Sequence, residues 1–149
     1  MIQKDNFRYA EKCLYNYKKN LACLDVLKED LRVERACTDV HAQNYQYSFG
    51  FTGDPSNPLQ NRIIKIENIE ERIKILERCT KPITQLITDL NAPENLEGSE
   101  NKILLDILKY MYLGKNFPDA IIQELHITRR TFARRRRDLI YMVIDYLVL

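Results

Sequence analysis

Pro118-Asp119-Ala120-Ile121-Ile122-Gln123-Glu124-Leu125-His126-Ile127-Thr128-Arg129-Arg130-Thr131-Phe132-Ala133-Arg134-Arg135-Arg136-Arg137 reads as a short helix, a tight turn and the opening of a second helix. Pro118 and Asp119 suit a first helical turn, because proline lacks an N–H that would be unpaired there anyway and a carboxylate complements the helix dipole. Ile121, Ile122 and Leu125 mark the inward side of the short helix. His126 takes the slot where a positive φ is often needed and is read as a plain turn residue. Ile127 plugs the angle between the two helices, and Thr128 supplies a hydroxyl N-cap to the second. The pattern is that of a helix-turn-helix.

Six of the nine positions from Arg129 to Arg137 are arginine. A planar guanidinium matches phosphate oxygens and the O6/N7 edge of guanine. On the second helix the apolar line is Phe132, Leu139 or Ile140, Val143 and Leu147. The opposite line is Arg130, Ala133, Arg134 and Arg137, with Arg129 in the first turn. These residues are expected to face a DNA groove, where Ala133 permits close approach and offers a methyl to thymine. Thr128 and Thr131 are expected to donate to flanking phosphates, and Arg135, more lateral, to contact a backbone phosphate. Arg136 falls on the apolar line, so its stem should pack and its head reach out to solvent. A solvated basic face or a calmodulin-like target helix is the plainer reading of such a run. The helix and turn before it favour double-stranded DNA as the partner.

The charge distribution agrees. The net charge of the 149 residues is only +2. Residues 101–149 nevertheless hold nine Lys and Arg against five Asp and Glu, whereas residues 1–100 hold 14 against 16. Such asymmetry points to a polyanion for the C-terminal part.

Upstream, the chain reads as two long helices. Ala10, Leu14, Tyr17, Leu21, Leu24 and Leu31 step by threes and fours, which predicts one helix from Asp5 to about Ala36. Gly50, Gly53, Pro55 and Pro58 predict a loop over 38–60. Within it Tyr45, Tyr47, Phe49 and Phe51 alternate at period two, as a short strand or an extended strap packed on the helices would. Ile66, Ile69, Ile73, Leu76, Ile83, Leu86 and Leu90 predict a second helix from Leu59 to about Asn91, kinked at Pro82. Burying both stripes is simplest in an antiparallel helical hairpin or coiled-coil stalk, within one chain or between two. Residues 91–99 are polar and contain Pro93 and Gly98, a linker. Ser99 is placed to cap a helix from Glu100 to Leu113, ended by Gly114. The expected class is therefore all-α: a hairpin stalk over 1–90 that oligomerises, a linker over 91–99, and a helix-turn-helix domain over 100–149.

Other chemistries find little support. Cys13, Cys23, Cys37 and Cys79 form no C-x-x-C pair, and neither His41 nor His126 stands at finger-like spacing from them, so no zinc or other metal site is expected. No Gly-rich phosphate loop or nucleophile arrangement is present, so no catalytic residue, cofactor or enzymatic activity is expected. Glu67, Glu70 and Glu71 read as solvated charges. No signal peptide or membrane-spanning run is visible, and the four cysteines read as reduced thiols of a cytoplasmic protein.

Leu104 to Tyr112, Gly114, the block Phe117 to Thr128 and Arg129-Arg130-Thr131-Phe132 together resemble the phage late-transcription regulators of the RinA/ArpU type, whose C-terminal part is similar to region 4 of bacterial sigma factors. Gly53-Asp54-Pro55 in the loop between two long helices fits the same layout. This chain departs from the family pattern at His126 (usually Gly), Ile122 (usually Ala) and Arg136 (usually apolar). The resemblance implies a role in switching on late phage operons in the bacterial host cytoplasm. The stalk and the helix-turn-helix together are expected to give a sequence-specific regulator that binds duplex DNA as a homodimer, using two half-sites or one half-site plus contact with host RNA polymerase. Two other readings share part of the layout. A DNA-recognition small subunit of a packaging terminase also joins a helix-turn-helix to an oligomerising hairpin, and a helical adaptor would need no nucleic acid.

Overall fold

The computed structural model describes residues 2–47, 58–92 and 99–148. It is all-α, and no strand occurs among the described residues. In chain order α1 spans Ile2–Tyr47 and α2 spans Pro58–Asn91. Helix α3, Ser99–Ile107, continues as a π-helical stretch over Leu108–Leu113, and α4, Pro118–Leu125, and α5, Arg129–Leu147, follow.

Helix α1 is longer than its apolar rhythm predicts. It runs for 46 residues, about 69 Å at about 1.5 Å per residue, and takes in the expected loop as far as Tyr47. Residues 37–47 contain neither Gly nor Pro, so nothing interrupts the ladder of backbone hydrogen bonds. Thr38 confirms the continuity, its hydroxyl donating to the Glu34 carbonyl one turn back at 2.8 Å. Tyr45 and Tyr47 are thus helical, and their period-two spacing does not mark a strand. Phe49, Phe51 and the Gly53-Asp54-Pro55 segment lie outside the described residues, as do 93–98 of the linker. Helix α2 matches its expected bounds within a residue and continues through Pro82.

The contacts group the chain into two compact units, Leu21–Glu77 and a second formed by Met1–Asn20 with Arg78–Leu149. In the first, Leu24 and Leu27 of α1 pack on Ile69 and Ile73 of α2, with Leu31 and Leu76 against them. Ion pairs flank this core. Lys28 meets Glu77 at 3.6 Å and Arg35 meets Glu70 at 2.7 Å, while Glu34 accepts from Lys65 at 2.8 Å and from Arg62 at 3.4 Å. As the α1 partner rises from 28 to 35 the α2 partner falls from 77 to 70, so the segments run antiparallel here. The hydrogen bond from Lys65 holds the Glu34 carboxyl below its ordinary value, against its partial desolvation. Such exposed pairs fix register more than they stabilise. The apolar burial stabilises, at roughly 25 cal/mol per Å² removed from water.

The second unit draws on every helix. Ala10 and Leu14 of α1, Ile83 and Leu86 of α2, and Ile107, Ile121 and Ile140 from the C-terminal helices are all buried. The Thr84 hydroxyl donates to the Thr80 carbonyl at 3.0 Å and is left to accept from Tyr17 at 2.7 Å. Tyr9 and the Cys79 thiol are 3.3 Å apart. Burial first, and then the neighbouring Cys79, push the Cys13 thiol up to about 12. The four cysteines are free thiols.

Candidate nucleic-acid interface

The residues before α4 set its angle. The π-helical stretch closes with the Gly114 N–H donating to the Lys109 carbonyl at 2.8 Å and the Asn116 N–H to the Tyr110 carbonyl at 2.9 Å. Gly114 does not supply the left-handed residue a C-terminal glycine usually does. Its φ is −87°, and Lys115 takes the positive φ of 53°. What Gly114 supplies is space, since a Cβ there would stand 3.0 Å from the Tyr110 carbonyl oxygen and 3.1 Å from that of Lys109. Leu108, Met111 and Tyr112 are buried beneath the turn.

Helix α4 starts at Pro118 with Asp119 in its first turn, and Ile121 is its buried residue. His126 ends it in the left-handed conformation at φ 53°, ψ 43°, as its slot predicts. The His126 N–H donates to the Gln123 carbonyl and the Ile127 N–H to the Ile122 carbonyl, each at 3.3 Å. This double closure satisfies carbonyls that a helix end otherwise leaves open. Thr128 caps α5, its Oγ1 accepting from the Thr131 N–H at 3.1 Å and lying 2.9 Å from the Thr131 hydroxyl. Both threonine hydroxyls thus already take part in the cap.

Helix α5 divides its surface sharply. Phe132, Leu139, Ile140 and Val143 are buried. Arg130, Ala133, Arg134 and Arg137 are exposed, and with the half-buried Thr131 they line one shallow depression of about 350 Å³. None of Arg130, Arg134 and Arg137 is ion-paired to another described residue. Arg130 to Arg137 covers two turns, about 10 Å of helix, with three guanidinium groups free to meet anionic oxygens.

The other three arginines are engaged elsewhere. Arg129 remains exposed but donates to Asp119 of α4 at 2.8 Å across the turn. Arg135 turns back to Glu100 at 2.8 Å and to Asp138 at 3.5 Å, leaving its side chain only 15% exposed. Its Nε is buried without a hydrogen-bond partner among the described residues. Arg136 does not reach out to solvent as its position suggests. Its guanidinium contacts the Glu11 carboxylate, and its Nε donates to the Tyr112 hydroxyl at 3.3 Å. Tyr112 in turn donates to the same Glu11 oxygen at 3.1 Å. Burial raises the Tyr112 hydroxyl above its ordinary value and keeps it a donor. Burial opposes the charge on Arg136, but the bonds to Glu11 and Tyr112 outweigh it and raise its pKa. Nothing in local spacing marks Glu11 as this partner, because the pairing spans 125 positions of sequence.

Among the described residues no group of His, Cys, Asp and Glu is arranged to hold a metal ion. No described helix is long and apolar enough to cross a membrane. Set beside known protein families, curated proteins and solved structures, the chain finds no match.

Proposed function

We propose that this chain is a sequence-specific DNA-binding transcription regulator, with α4, the turn at 126–128 and α5 acting as a helix-turn-helix and α5 as its reading helix. The observation that carries the reading is the exposed, unpaired row Arg130, Arg134 and Arg137 flanking Ala133, behind a capped helix start and a left-handed turn. Arginine reads guanine in the major groove, and the small residue lets the helix approach. Arg129 joins the row when its exposed pair with Asp119 exchanges for a phosphate, because an exposed ion pair is held weakly.

The resemblance to RinA/ArpU-type regulators supports a role in activating late phage genes beside host RNA polymerase. The antiparallel pairing of α1 and α2 supports a helical hairpin. A homodimer would then use surfaces outside the Leu24–Ile73 core, and Val26 and Val33, 60% and 43% exposed and one heptad apart on α1, are the best placed.

Fluorescence anisotropy against tiled fragments of the source genome, with mixed-sequence duplex as competitor near physiological salt, tests this. Tight binding to one fragment that survives competitor and falls with Arg134→Ala is expected. Weak, uniform binding that vanishes with salt would leave only the electrostatic contribution and overturn sequence-specific regulation.

A further inference from the structure

The exposed row on α5 does not stop at Arg137. Positions 130, 134, 137 and 141 follow one another at helical spacing, so Tyr141, 48% exposed, is the next residue on the same stripe. There α1 joins the surface. The Phe7 ring meets the Tyr141 ring edge-on, with centroids 6.0 Å apart. Lys4 and Arg8, one turn apart on α1, line a depression with Phe7 and Tyr141. Both are exposed, and neither is ion-paired to another described residue. Glu11, at the edge of the same depression, has its charge answered by Arg136. Asp145, exposed one turn beyond Tyr141, ends the basic run.

We infer that Lys4 and Arg8 form a second anion-binding patch, continuous with the α5 row, that grips the phosphate backbone of the same duplex. The inference rests on the DNA-binding reading of α5. Its physical basis is reach. From Arg130 to Tyr141 the helix rises about 16 Å, more than the roughly 12 Å width of the major groove. A helix whose first turns sit on base edges therefore brings Tyr141 to the phosphate wall. A phosphate there meets an ammonium and a guanidinium that are ion-paired to no other described residue, beside the Phe7 and Tyr141 rings. Contacts of this kind position the protein and carry no sequence information.

The test compares three variants of the full chain on a mixed-sequence duplex between about 50 and 200 mM salt. Lys4→Ala/Arg8→Ala is expected to weaken binding about 10-fold near physiological salt and to flatten the log–log salt dependence by about 1.8, two phosphates at about 0.9 each. It should affect every duplex equally and leave the melting curve unchanged. Lys18→Ala/Lys19→Ala, which removes two exposed charges elsewhere on α1, should change neither quantity; an equal effect there would reduce the patch to general charge and overturn the inference. Arg130→Ala/Arg134→Ala/Arg137→Ala reports on the α5 reading itself. Loss of binding in that triple variant, with wild-type affinity and slope in Lys4→Ala/Arg8→Ala, would overturn the patch and leave the reading standing. Unchanged binding in the triple variant, or no duplex binding by the wild type, would overturn both.

Discussion

Arg136 of α5 is bound to Glu11 of α1, with Tyr112 hydrogen-bonded to both. The fifth of the six arginines in the basic run is thus a structural residue. Arg136→Ala should lower stability by about 1–3 kcal/mol, the loss of charged hydrogen bonds plus a stranded carboxylate. The folded fraction should keep its duplex affinity. Denaturant melts alongside anisotropy titrations check this, and an affinity loss with unchanged stability would place Arg136 in the interface instead.

The Thr128 cap should contribute about 1 kcal/mol. Thr128→Ala is expected to lose that amount in a denaturant melt, and Thr128→Ser to lose almost none. If both variants lose equally, the methyl group rather than the hydroxyl matters at this position.

His126 and Gly114 act in opposite senses. A left-handed non-glycine residue costs about 1–2 kcal/mol, so His126→Gly should raise stability by about 1 kcal/mol. Gly114→Ala, by contrast, must push apart two backbone carbonyls and should destabilise. Thermal melts of the two single variants would show shifts of opposite sign.

The local features of the C-terminal segment were readable because each has a local cause. Pro118, the left-handed slot at His126, the Thr128 hydroxyl and the Phe132–Val143 line are all decided within a turn or two of chain. The far end of α1 is not legible from spacing, because period-two aromatics look like a strand whether or not the backbone has a reason to leave the helix. The π-helical turn and the left-handed Lys115 were not legible either, since both follow from how Leu108, Met111 and Tyr112 settle into the core. Which arginines stay free was the least accessible question. Arg135 and Arg136 are withdrawn by Glu100 and Glu11, which only the folded chain brings near.

Stability should fall in mild alkali. The Cys13 thiol titrates near its ordinary value of 9.0 when unfolded but is pushed up to about 12 in the fold. Between those values the folded state binds more protons than the unfolded state, so stability drops as pH rises. Below about pH 9 the contribution is fully present. Tyr112, raised by burial, adds a loss of the same sign at higher pH. Melting temperatures of Cys13→Ala should decline less steeply than those of wild type above pH 9. Parallel curves would mean that Cys13 is not the titrating group.

Replacing Ile73, 8% exposed in the core of the Leu21–Glu77 unit, with Ala should cost about 2–4 kcal/mol. Ile75→Ala, two positions on and 51% exposed, should cost little in the monomer. Chemical denaturation of both variants measures the contrast.

The unit formed by Met1–Asn20 and Arg78–Leu149 joins segments far apart in sequence, and this sets a timetable for its birth. The ribosome adds about 5–20 residues each second, so Glu11 waits through 125 further positions before Arg136 exists to meet it. For many seconds Ala10 and Leu14 have no C-terminal helices to pack beneath, while Leu24 and Leu27 can already find Ile69 and Ile73. The nascent chain therefore carries α1 unfinished until α5 is made, a span in which a chaperone has its clearest opportunity and a product cut short before α5 its clearest defect.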